Sequence, residues 1–92
     1  MTSPPPTRED VFATVRAQLR KDYPDRAARI DALAPDAALF EQGLLDSLSL
    51  LNLVDLLEHV YRFAVPPEDF VPFTFDTLER IAAYVAGRAG RP

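Results

Sequence analysis

The chain has 92 residues, 48% of them hydrophobic, and a formal net charge of −4. This is one small domain with a thin core, apolar enough to fold and too modestly charged to be disordered throughout. It has no Cys and one His, His59, which excludes disulfides, thiolate metal sites and a cysteine nucleophile, and leaves any zinc site to carboxylates.

In chain order, residues 1–6 are Pro-rich and read as a disordered tail, without the basic start and apolar run of a signal peptide. A first helix is predicted from about Thr7 to Asp22. Thr7 is the N-cap, Glu9 and Asp10 suit the positive dipole end, and Arg20 and Lys21 suit the other. Phe12, Val15 and Leu19 form its buried stripe, and Pro24 ends it. A long connection follows to Asp46, with a short helix over part of Arg26–Leu33 and breakers at Pro35 and Gly43. Leu39, Phe40, Leu44 and Leu45 are too apolar for a solvated loop, so they should pin this segment to the rest of the domain.

A second helix is predicted to start at Asp46 or Ser47 and to end near Arg62, before Pro66 and Pro67. Its apolar face is Leu50, Leu53, Val54, Leu57, Val60 and Tyr61. Asn52, Asp55, Glu58, His59 and Arg62 take the other face. A short helical turn is expected around Glu68–Val71, interrupted by Pro72. The last helix should begin after Asp76, with Glu79 completing a capping-box-like pair, and should bury Leu78, Ile81, Ala82 and Val85. Residues 87–92 carry two glycines and read as a flexible tail. Three amphipathic stripes and no alternating strand pattern give an all-α domain over residues 7–86.

The segment that points to chemistry is Gly43-Leu44-Leu45-Asp46-Ser47-Leu48. A serine at a helix start follows an acid and a glycine-containing loop. Free N–H groups and the helix dipole there favour a phosphate. On the tripeptide alone, plain capping of the helix by Asp46 or Ser47 is the favoured reading.

The wider pattern resembles the acyl carrier protein family, which includes peptidyl and aminoacyl carriers. Gly43, Asp46, Ser47 and Leu48 match the family motif at the start of its second helix. Val65-Pro66, Glu68-Asp69-Phe70 and Leu78–Val85 match the segments that follow. The resemblance implies a small four-helix bundle of three main helices and one short one, with a long loop between the first two. It also implies that Ser47 receives 4'-phosphopantetheine from coenzyme A, through a phosphopantetheinyl transferase that needs Asp46. The arm's thiol would hold an acyl or aminoacyl group as a thioester. The chain would then be a non-catalytic, stand-alone carrier that meets a loading enzyme and downstream biosynthetic enzymes.

Leu44-Leu45 and the long spacer after Pro66 resemble stand-alone aminoacyl carriers such as the D-alanyl carriers of cell-wall metabolism. Asp55 stands where fatty-acid carriers often have an apolar residue. Fatty-acid or polyketide cargo stays open, as does an unmodified interaction module of the same fold. At 100° per residue, Leu51 and Leu48 lie about 40° and about 100° from Ser47, on the polar face. With Asp55 and Glu58 they are the expected docking surface for partner enzymes. His59 reads as a solvated residue. The remaining expectations are a cytoplasmic monomer that binds neither nucleic acid nor membrane.

Overall fold

Each long helix begins where the sequence supplies a cap. In the computed structural model, which describes residues 6–89, the Thr7 hydroxyl accepts from the Asp10 N–H and the Asp10 carboxylate accepts from the Thr7 N–H. That reciprocal box opens α1 (Arg8–Asp22), which buries Val11, Phe12, Val15 and Leu19. A 3₁₀ turn, Pro24–Arg26, leads into the short α2 (Ala27–Asp31), which buries Ile30. The expected short helix therefore exists and breaks up the long connection. The rest of that connection runs irregularly to Asp46, where α3 (Ser47–Tyr61) begins.

The connection is fastened as its composition requires. Leu39, Leu44 and Leu45 are buried and Phe40 packs against the core. The Leu44 N–H donates to the Leu39 carbonyl at 2.9 Å, closing a tight turn through Gly43, whose φ of 71° is a left-handed conformation that glycine adopts without a Cβ penalty.

After α3, a second 3₁₀ turn spans Pro67–Asp69, and α4 is the four-residue helix Pro72–Phe75. The helical turn expected around Glu68–Val71 is present as this 3₁₀ turn, shifted toward Pro67, but the role given to Pro72 is corrected. Pro72 opens the short helix instead of interrupting one. Its missing N–H is no loss at the first helical position, and its fixed φ suits a helix start.

The last helix, α5, is Leu78–Arg88, and Thr77 caps it by accepting from the Arg80 N–H at 3.0 Å. The expected Asp76–Glu79 pair does not form. The Asp76 carboxylate accepts from the Phe40 N–H at 3.4 Å and its carbonyl from the Leu39 N–H at 2.7 Å. Glu79 pairs with Arg8 at 2.6 Å. The helix also runs through Gly87 and Arg88, into the stretch read as tail. The other residues assigned to tails, 1–5 and 90–92, lie outside the described residues.

Among the described residues, three long helices and two short ones make an all-α bundle, the class expected, with one short helix more than the single one expected. α1 packs chiefly along α5, and α3 joins them through Leu50, Leu53, Val54 and Leu57. Val60, expected on the buried face of α3, is 46% exposed; it sits at the edge of the stripe, in the last turn. Phe75 closes one end of the core edge-on to Tyr84, whose phenol is pushed up to about 12 by burial and then by donation to Asp69. Among the described residues, no helix is long and apolar enough to cross a membrane.

Candidate functional site

The start of α3 is built around one carboxylate. Asp46 is the N-cap, in extended conformation, and its Oδ1 accepts from the Ser49 N–H at 2.9 Å. The Ser49 hydroxyl accepts from the Asp46 N–H at 2.8 Å, so the two residues cap each other. Of the two residues eligible to cap, Asp46 does it, and this leaves Ser47, at the first helical position, outside the capping network and exposed.

Behind this box stands the end of α1. The Tyr23 hydroxyl donates to Asp46 Oδ2 at 3.2 Å and lies 3.0 Å from the Ser49 hydroxyl. The Arg26 guanidinium stacks over the Tyr23 ring, 5.2 Å from its centroid, and donates to the Gly43 carbonyl. Arg29 donates to the Gln42 carbonyl at 3.0 Å. Two arginines of the 3₁₀ turn and α2 thus hold the carbonyls of the loop that delivers Ser47. The donors around Asp46, first the Ser49 N–H and then its hydroxyl, keep the carboxyl below its ordinary value, so it is ionised at neutral pH.

Leu48 and Leu51 are 69% and 54% exposed, beside Ser47 on the outer face of α3. The apolar loop before Ser47 turns into the core and does not cover them. Asp55 and His59 are also exposed. Glu58 is different. It is half-buried, and its carboxylate accepts from the Val65 N–H at 2.8 Å, holding the chain as it leaves α3. A shallow depression next to Ser47 is lined by Asp22, Tyr23, Asp46, Leu48, Ser49 and Asn52. Among the described residues, no group of His, Asp and Glu stands close enough to hold a metal ion.

The sequence reading singled out Asp46, Ser47, Leu48 and Leu51, which the structure places at the start and on the outer face of α3; it did not single out Tyr23, Arg26 or Ser49, whose hydrogen bonds surround that start. Ser49 had a signal, the spacing of a hydroxyl three residues after a capping acid. Tyr23 and Arg26 had none, because their contacts to Asp46 and Gly43 span 23 and 17 positions.

A surface serine on the first turn of a helix, with N–H groups and the positive dipole end at hand, is a fitting acceptor for a phosphodiester. The family described as a phosphopantetheine attachment site matches residues 26–85. A D-alanyl carrier protein from Abiotrophia defectiva is 38% identical over 53 residues, covering 58% of this chain and 67% of that one. No solved structure matches the chain.

Proposed function

The chain belongs to the phosphopantetheine attachment family of carrier proteins, and we propose that it is a discrete aminoacyl carrier whose arm is attached to Ser47. The observation that supports this most is the division of labour at the start of α3. Asp46 supplies the cap, so the Ser47 hydroxyl is left exposed on a fixed helical turn. The arm, 4'-phosphopantetheine, supplies when attached the thiol that carries an acyl or aminoacyl group as a thioester. Ser47 would hold it through its hydroxyl oxygen, and the first turn of α3 would stabilise the phosphodiester charge. The Asp46 carboxylate stays ionised and faces outward, available to a phosphopantetheinyl transferase. Leu48 and Leu51 would seat the transferase and the loading enzyme, and the exposed Asp55 would contribute orientation and on-rate more than affinity. The chain itself would perform no chemistry.

The similar D-alanyl carrier makes a small amino acid the favoured cargo, and D-alanine the first to test. The decisive experiment is intact mass after incubation with coenzyme A and a broad-specificity transferase. Wild type should gain one phosphopantetheinyl group. Ser47→Ala should gain none while keeping its helix content, because Asp46 still caps α3. An arm that appears on Ser47→Ala would overturn the assignment. The holo form should then be charged by an amino-acid-adenylating enzyme; charging only with malonyl or long-chain acyl groups would overturn the cargo class.

A further inference from the structure

Tyr23 lies far from Ser47 in sequence, yet its hydroxyl bonds the acid next to it. The Asp46 carboxylate has two oxygens with separate duties. Oδ1 accepts from the Ser49 N–H and closes the cap. Oδ2 accepts from the Tyr23 hydroxyl at 3.2 Å. The cap needs only the first, so the second bond is free to serve another purpose. Tyr23 is itself held. Its ring lies under the Arg26 guanidinium, and that guanidinium also grips the Gly43 carbonyl. The left-handed Gly43 backbone lets this carbonyl meet Arg26, and a Cβ there would stand 3.3 Å from Arg26 Nη1. The result is a closed brace from the end of α1, through the loop, to the residue preceding Ser47.

We propose that Tyr23, steadied by Arg26, is a positioning residue for phosphopantetheine transfer, fixing the Asp46 carboxylate in the orientation the transferase uses. This rests on the reading of Ser47 as the modified residue and of Asp46 as a group the transferase engages. The Tyr23 hydroxyl bonds Asp46 and lies against the Ser49 hydroxyl, with no hydrogen bond to Ser47. It acts through Asp46, and a positioned group that drifts by a fraction of an ångström loses rate more than binding.

The test is steady-state kinetics of transfer from coenzyme A by a broad-specificity transferase, with the chain as varied substrate. Tyr23→Phe deletes only the hydroxyl and keeps the ring beneath Arg26. Its kcat should fall about five- to tenfold, within the range expected for one ordinary lost hydrogen bond, with KM for the chain nearly unchanged. In an Asp46→Asn background, which keeps a capping side chain, the same change should have no further effect, because coupled residues are not additive. A purely structural role would give multiplied losses in the double variant, and that outcome would overturn the proposal. So would an unchanged kcat for Tyr23→Phe, or Asp46→Asn transferred at the wild-type rate. If Tyr23→Phe loses helix content, Arg26→Gln replaces it as the probe. It keeps the hydroxyl but removes the stack and the tie to Gly43, and the same loss in kcat, absent with Asp46→Asn, is expected. A wild-type chain that accepts no arm would overturn the Ser47 reading itself; a modified wild type matched by both variants would overturn only the role of the brace.

Discussion

The Asp46 carboxylate caps α3, and acid should reveal what its charge contributes. The carboxyl titrates below the ordinary 3.8, first because of the Ser49 N–H and then the Ser49 hydroxyl, with a smaller part from Tyr23. A folded-state value below the unfolded one means the ionised form is the one that stabilises. That contribution is complete above about pH 4 and fades as pH falls through the lowered folded value. Asp46→Asn keeps a good cap but has no charge to titrate. Melting curves of wild type and Asp46→Asn should therefore differ most near neutrality and converge below pH 4. A difference that stays constant to the lowest pH would show that ionisation of Asp46 does not stabilise the fold. Asp46, Ser47 and Gly43 were visible in the sequence because capping, helix starts and positive φ are local chemistry. Tyr23 and Arg26 were not, because each acts across a tertiary contact that no short-range pattern encodes.

At the scale of the element, α3 carries two kinds of leucine on one helix. Leu53 and Leu57 are fully buried, whereas Leu48 and Leu51 face solvent. The 3.6-residue period separates them cleanly, which is why α1, α3 and α5 could be predicted with their buried faces. Two parts of the fold were misread, for different reasons. Asp76 has the right chemistry and position to cap α5, but the backbone of Leu39 and Phe40 claims it, so Thr77 takes over. Pro72 looks like a breaker until it is seen at a helix start. At Asp76 local capping propensity gave way to a distant backbone donor; at Pro72 the local rule for a helix start applied and was overlooked. The two leucine classes predict opposite phenotypes. Leu53→Ala should cost about 2–5 kcal/mol in denaturant unfolding, as buried leucines do, with little specific effect on transferase KM. Leu51→Gln should leave the unfolding midpoint nearly unchanged and raise KM for the chain, with kcat preserved. Easy unfolding of Leu51→Gln would place Leu51 in the core. A normal KM would put the docking surface elsewhere, and the exposed Phe73 on α4 would be the next surface to vary.

For the molecule as a whole, what it lacks shapes what it can carry. A carrier's reactivity resides in its arm, so side chains can encode a helix start suited to an arm and the bundle that presents it, but not which group the arm carries. That is why the fold, the helix-start motif and, through Leu44-Leu45, a resemblance to aminoacyl carriers were readable from residues, and the identity of the loaded group was not. The absence of Cys from all 92 residues then has a measurable consequence. The unmodified chain contains no thiol, so every free thiol in the modified, cargo-free protein must belong to an attached arm. Titration with a chromogenic disulfide reagent under denaturing conditions should give no thiol before modification and one per chain after it. Ser47→Ala, treated in the same way, should give none. Mild oxidation of the holo form offers a second reading of the same count. Disulfide formation consumes one thiolate from each of two partners, so a chain bearing one arm can be linked to one other chain and no more. Non-reducing electrophoresis should show monomer and dimer, both returning to monomer with reductant. A ladder of larger species, or a titre above one, would reveal a second attachment site and would refute Ser47 as the sole acceptor.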